Sequence, residues 1–310
     1  MQLFLQRLFD GFDNGAVYGI VALSLVLVFK ATSLINFAQG ELAMFGTFLT
    51  YVFAVTLGFA DWSVGVLPVG LVAALVVGMA ISAVAGATVQ RTLLRSFDPT
   101  EPLPVVLITL GLFLILNALA GFIWSFNPRA FPSLFPNGSD DFFAIGGARL
   151  RYTVVGTWAV MAVTATTVWF LLTRTKIGLA FRAVSSNVES ARIVGVGVGG
   201  VLMFGWALAS AVGTLGGALV APKLFLQPNM MATLLVFAFA AATIGGLDSL
   251  VGAVLGGIAM GMIQSVLVGY LGDLNPSLNI LNLVIAFAVI LVVLWFRPTG
   301  LFGTTAVTRA

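Results

Sequence analysis

Cysteine and histidine are both missing from the 310 residues, and charge is scarce, with Asp, Glu, Lys and Arg together making up 8%. Without Cys and His the chain can hold no disulfide, no Cys/His zinc site, no thiol nucleophile and no histidine-based triad. Cysteine usage therefore says nothing about redox compartment. The charged fraction is a third of the roughly 25% usual in soluble domains, too little for a water-facing shell. Also absent is any Gly-Lys dipeptide, and with it the GxxxxGK[ST] loop that cradles nucleotide phosphates. No cluster of catalytic or metal-ligating residues is visible, so the sequence points away from an enzyme and toward a chain without a cofactor of its own.

What is present is apolar. Hydrophobic residues make up 60% of the chain, and the mean hydropathy is +1.12. The 35 glycines and 11 prolines are scattered inside apolar segments, where membrane helices tolerate them and use glycine for close packing. The net charge of +3 comes from cations spread over loops, which reads as a topology signal and not as a nucleic-acid footprint. Membrane lipid is the expected surround, and nucleic acid is not an expected partner. Arg7 precedes an apolar run, but no small-x-small cleavage site follows, so the N-terminus reads as a retained segment.

Runs long enough to cross a bilayer, about 20 residues each, fall near 15–29, 37–58, 64–88, 103–124, 152–172, 198–220, 231–247, 250–270 and 279–296. They are continuous rather than alternating, and too long for barrel strands. The expected fold is all-α: a polytopic transmembrane helical bundle of about eight to nine spans forming one membrane domain over 1–310. Cytoplasmic loops collect Lys and Arg. Placing the 173–197 loop inside puts Lys30, Arg91, Arg95, Arg174, Lys176, Arg182, Arg192, Arg297 and Arg309 inside, and Arg7, Arg129, Arg149, Arg151 and Lys223 outside. The turn-rich stretch 125–151, with its Asp140/Asp141 pair, then faces outside.

The inside loop is the most charged part of the chain, with four cations and Glu189 between Arg174 and Arg192. Ser186 followed three positions later by Glu189 reads as a capping box, and Gly195 as a helix stop. A short helix over 187–194 is expected. Two turns mixing Val188, Ala191, Ile193 and Val194 with ionic groups are marginal alone, so the helix docks either on its own bundle or into a partner groove. Asn36, Gln39 and Glu41 form a polar cluster in apolar surroundings, either a gate or path element or a helix-start cap with interhelical hydrogen bonds. Glycines at 252, 256, 257 and 261 have small-xxx-small spacing, and Gly245 and Gly246 permit a broken backbone that packs tightly or lines a path. Asn14, Tyr18, Thr109, Asn117, Gln264 and Asn282 are lone polar residues in or beside spans, each an interhelical hydrogen bond or a pore-facing group.

Several stretches together resemble the LivH-type permease subunit of branched-chain amino acid ABC importers. Arg174, Gly178, Arg182-Ala183, Ala191 and Gly195 are similar to that family's cytoplasmic coupling loop. "INFAQGELAMFG" (35–46) resembles its INFAHGE motif, "IGGLDSLVGAVLGG" (244–257) its GGLGSLxGAxLGG motif, and "RPTGLFG" (297–303) and "NGAVYGIVALSL" (14–25) also fit. Gln39 stands where the family commonly has His, which argues against proton chemistry there, and Asp248 where it commonly has Gly.

The resemblance implies a permease in a prokaryotic cytoplasmic (inner) membrane, with a second permease subunit (a LivM-like paralogue or itself), two ABC ATPases that hydrolyse the ATP, and an external solute-binding protein. Branched-chain or related amino acids are the implied cargo, with urea, short amides or aromatic acids carried by related systems. Arg174, Gly178, Arg182, Ser186, Glu189, Ala191, Arg192 and Gly195 are the expected ATPase-coupling residues; Asn14, Tyr18, Asn36, Gln39, Glu41, Gly245 and Gly246 are the pathway or gate candidates. The competing classes are a secondary transporter or channel driven by an ion gradient, which calls for paired charges at mid-bilayer, and a membrane enzyme.

Overall fold

Each continuous apolar run becomes a helix because only internal hydrogen bonding satisfies a backbone out of water. The computed structural model describes residues 2–63, 68–95 and 102–303. Arg309 lies outside the described residues, as does the start of the 64–88 run. Among the described residues seven helices are long and apolar enough to cross a membrane. The runs at 37–58 and 231–247 appear as shorter helices, α2 (Gln39–Tyr51, continued by a π-helical turn Val52–Thr56) and α9 (Met230–Gly245).

The chain divides into two compact units. One contains 1–26, 135–165 and 233–310; the other contains 27–134 and 166–232. Helices α1 (Gln2–Thr32) and α5 (Tyr152–Arg174) each contribute to both.

In the second unit α2, α3 (Val69–Val89) and α8 (Val198–Leu224) pack on one another. Their interface is built of small and hydroxylated residues. The Thr47 and Thr214 hydroxyls each donate to the carbonyl four residues back, and Ser82 donates to the Ser210 carbonyl at 3.2 Å. Satisfying these hydroxyls within or between adjacent helices lets the backbones approach closely, though the Ser210 hydroxyl and the Trp206 indole N–H on α8 are buried with no hydrogen-bond partner among the described residues. Helix α4 (Pro102–Trp124) buries only 11% of its span window, the composition of a surface helix whose solvent is lipid or another apolar subunit.

In the first unit α10 (Leu250–Ile263) is the hub. Gly252 and Gly256 meet Gly245 and Ala241 of α9, while Gly257 and Gly261 meet Gly11, Gly15 and Gly19 of α1. The two small-residue spacings thus serve two different neighbours. A π-helical turn (Gln264–Val268) carries the helix on into α11 (Gly269–Leu274). Helix α12 (Leu281–Phe296) is the last described helix and is almost wholly unburied, at 6% of its window.

The turn-rich 125–151 stretch holds an element that its composition did not disclose. Phe142–Ile145 (β1) and Ala148–Arg151 (β2) form a hairpin around Gly146 and Gly147, whose φ values of +58° and +82° suit a two-residue turn. The hairpin is fastened to the start of α1: the Gln2 amide donates to the Gly147 carbonyl, and the Arg149 amide donates to Gln6 Oε1 at 2.9 Å.

Candidate functional site

The charged loop folds into two helices rather than one. Lys176–Ser186 (α6) starts on Thr175, whose hydroxyl accepts from the Gly178 amide at 3.1 Å. Val188–Ile193 (α7) follows after one residue. The expected capping box is corrected here. Ser186 is the last residue of α6, and the α7 cap is Asn187, whose side chain accepts from the Ser190 amide at 2.7 Å. The unforeseen α6 occupies the position that would free Ser186, and Asn187, extended at φ −159°, breaks the helix and caps the next. Gly195 ends α7 as expected, at φ +82°, with the Val196 amide returning to the Ala191 carbonyl at 2.9 Å.

Both helices are anchored by apolar side chains within the second unit. Phe181, Val184 and Ala191 are buried, and the Phe181 ring fills the space beside Gly205 of α8. Gly178 sits at the sharp α5–α6 turn, where an added Cβ would lie 2.4 Å from the Leu172 carbonyl oxygen. Arg174 rests over the Trp169 ring at 5.9 Å, and the Arg182 guanidinium reaches the Thr173 carbonyl at a long 3.5 Å. Glu189 and Arg192 are exposed. Most telling are Ile193 and Val194, 86% and 75% exposed at the tip of α7. The short helix is held from behind by its own bundle while two large apolar side chains face outward. Within α6 the spacing Phe181 to Val184, preceded by Thr175 and Gly178, was the available sequence signal for the missed helix.

The polar cluster at the start of α2 is buried, with Asn36 also on the wall of a cavity. Glu41 is 1% exposed. Its carboxylate accepts from Asn117 of α4 at 3.4 Å, and the same amide reaches Asn229 Oδ1 at 3.1 Å and the Pro228 carbonyl at 3.3 Å. Gln39 donates to the Ala209 carbonyl of α8 at 2.9 Å and accepts from Asn36, whose own oxygen holds the Ala38 amide. Asn36, Gln39 and Glu41 are therefore a hydrogen-bonded start to α2 that ties it to α4 and α8.

The other pathway candidates lie in the first unit. Tyr18 is buried, stacks on Phe237 with centroids 5.0 Å apart, and donates its hydroxyl to Gln264. Asn14 borders a polar cavity of about 620 Å³ lined also by Arg7, Asp10, Asp13, Gln264 and Asp273. Arg7 bridges to Asp273 at 2.8 Å.

Gly245 and Gly246 form one half of a clasp. The amides of Leu301 and Phe302 donate to the carbonyls of Ile244 and Gly245, each at 2.9 Å. Gly246, at φ +105°, faces Gly303, where an added Cβ would lie 2.6 Å from the backbone nitrogen. Two motifs some 55 positions apart thus meet, which no pattern within either one could reveal. Gly246→Leu is expected to break the clasp through both the left-handed backbone and the clash, at a cost of about 2 kcal/mol or more. Thermal stability of the purified protein checks this, and a wild-type melting temperature would reject the tight-turn account.

The described chain is an apolar multi-span helical protein carrying a short, back-anchored helix with an outward apolar tip. The chain belongs to the branched-chain amino acid transport system permease component family, which it matches over residues 7–294. It is 25% identical over 312 residues to the high-affinity branched-chain amino acid transport system permease protein BraD of Pseudomonas aeruginosa, covering 99% of this chain and 98% of that one. To LivH of Escherichia coli it is 25% identical over 313 residues, covering 99% and 97%. The ribose import permease protein RbsC of Escherichia coli is 26% identical over 285 residues, covering 90% of this chain and 79% of that one.

Proposed function

We propose that this permease carries branched-chain or related amino acids across a prokaryotic cytoplasmic membrane as the membrane-spanning subunit of an ABC importer, with ATP hydrolysed by separate subunits. The observation that carries the coupling is the exposed Ile193/Val194 tip on an α6–α7 segment anchored by Phe181 of α6 and Ala191 of α7, in a chain without its own GxxxxGK[ST] loop. Arg174, Gly178, Arg182, Glu189, Ala191, Arg192 and Gly195 hold or flank that tip; Ser186 closes α6 behind it. The complex comprises two ATPases, a second permease (a paralogue or this chain again) and an external solute-binding protein, with 1–310 acting as one permease domain.

Loop 173–197 faces the cytoplasm and 125–151 faces outside. Support for this alternation comes from pairs that charge counting puts on one side and that each unit brings together. The 297–303 segment lies against Ile244 and Gly245, and Arg7 lies against Asp273. Closure of the ATPase pair moves α7 and, through Phe181 in its slot on α8, biases the α2–α3–α8 core between its two states. The Glu41–Asn117 contact crosses from α2 to α4, where such a movement is felt, and serves as a gate element.

Co-purification with partner ATPases tests the assignment, followed by ATP hydrolysis measured with candidate binding proteins and a panel of leucine, isoleucine, valine, phenylalanine, urea, short amides and ribose. Stimulation by a binding protein loaded with a branched-chain amino acid is expected. Stimulation by ribose or urea alone would reassign the cargo, and uptake driven by an ion gradient without ATPases would reject the ABC reading.

A further inference from the structure

A cavity of about 500 Å³ opens in the second unit beside the α6–α7 segment. Its walls come from the end of α1, the stretch before α2, the first turns of α4 and α8, and the π-helical turn Gln90–Leu94 that ends α3. The depth is apolar, with Val28, Leu94, Val105, Met203 and Trp206 among the lining residues. Thr32, Asn36, Gln90 and Thr109 add polar groups, and Arg91, Arg95 and Arg192 are the charged lining residues among the described ones. None of the three guanidinium groups has an ion pair or hydrogen bond to another of the described residues. Trp206 is 1% exposed, and its indole N–H finds no acceptor.

Three like charges beside an apolar hollow repel one another unless an anion neutralises them, and a one-signed cleft with low-dielectric walls concentrates counter-ions. Guanidinium groups pair with carboxylates through two parallel hydrogen bonds. The volume is within the range of small-molecule sites, and an apolar body with a few convergent polar groups is their usual make-up. Widened π turns such as Gln90–Leu94 are frequent at ligand sites.

We propose that this cavity is a binding site for a small carboxylate with an apolar side chain, held by Arg91, Arg95 and Arg192, and that it takes the imported amino acid from the cytoplasmic side. The source and the side rest on the importer reading above; the ligand class rests on the lining. Arg192 belongs to α7, whereas Arg91, Arg95 and the apolar wall belong to the helix bundle. A bound carboxylate therefore bridges the coupling segment to the bundle, stabilises whichever state brings them together, and slows import as product accumulates.

The test uses the full chain in phosphatidylcholine nanodiscs, with L-leucine and leucinamide as probes. Leucine is expected to bind at least tenfold more tightly than leucinamide, and Arg91→Gln with Arg95→Gln to remove at least tenfold of the leucine affinity. Equal binding of the two probes by the wild type overturns the proposal without reference to any variant. So does undiminished leucine binding by the double variant. If phosphatidylglycerol is retained by the wild type and lost by the double variant, and leucine does not displace it, the cavity is a lipid headgroup site and the proposal is overturned. In cells, the double variant is expected to import leucine at the wild-type initial rate but to lose inhibition by preloaded leucine. Wild-type cells that import no branched-chain amino acid would count against the importer reading alone, because the nanodisc comparison stands without it.

Discussion

Gly257→Val is expected to deprive the purified permease of most of its thermal stability and to reduce its yield in membranes severalfold. A Cβ on Gly257 would lie 2.3 Å from both the Cα and the nitrogen of Gly19, and 2.9 Å from the Gly15 carbonyl oxygen. All three are backbone atoms of α1, so no side chain can rotate away. Helices α1 and α10 must part by about 1 Å, and a gap of that size forfeits a quarter to a half of each dispersion contact along the seam. Lipid tails are as apolar as the helix surfaces, so no hydrophobic effect returns the helices to each other and packing is what holds them. The cost is about 3 kcal/mol, the upper end of overpacking, and Gly261→Val should behave alike, since its Cβ would lie 2.3 Å from the Gly15 nitrogen. Gly111→Ala is the matched control: nothing lies within 4 Å of its added Cβ, and a helical Gly replaced by Ala gains about 0.5–1 kcal/mol. Melting curves in detergent for the three variants decide the matter. Wild-type melting of Gly257→Val would mean that the α1–α10 seam is not what holds this unit.

The double substitution Ile193→Asp with Val194→Asp is expected to abolish ATP-driven uptake while leaving the melting temperature unchanged. Both side chains are already exposed, at 86% and 75%, and surface changes of this kind move stability by no more than about 0.5 kcal/mol. The proposed docking on the ATPase would bury the same two side chains. Losing about 2 kcal/mol from each is about 4 kcal/mol, roughly a thousandfold in ATPase affinity, before the added cost of burying unpaired carboxylates. Uptake in cells, ATPase co-purification and thermal stability are measured on one preparation. Retained uptake would remove α7 as the coupling element, whereas a fall in stability would show the tip packed on its own bundle. Phe181→Ala should show the opposite pattern, unfolding first and uncoupling as a consequence, because its ring is wholly buried.

Membrane insertion, helical class and the approximate number of crossings could all be read from composition and run length, because hydrocarbon admits few backbone solutions. The glycine stripe at 252, 256, 257 and 261 was legible as a packing surface for the same reason: small residues at that spacing have one common use in a bilayer. The stop at Gly195 was legible because a left-handed residue at a helix end is a local event. Cap identity was not. Ser186 and Asn187 both suit the role, and the choice depends on where α6 ends, which is decided by Phe181 and Val184 docking on α8.

The pathway candidates divide along the same line. That Asn36, Gln39 and Glu41 are expensive in an apolar run follows from their chemistry; that they are buried, with Gln39 bonded to Ala209 and Glu41 to Asn117, depends on helices α4 and α8, more than 70 residues away in the chain. Tyr18 and Gln264 were visible as lone polar groups, but not as each other's partner. The sequence alone determined what this chain is dissolved in, how its backbone must be satisfied there and which family it belongs to, since each of these follows from local composition and motif. Only the tertiary structure decided that 299–303 clasps 244–246, that Ile193 and Val194 are left exposed and that three arginines ring one hollow. Those facts depend on which distant surfaces meet, and a one-dimensional pattern does not encode a meeting between two surfaces that each look complete on their own.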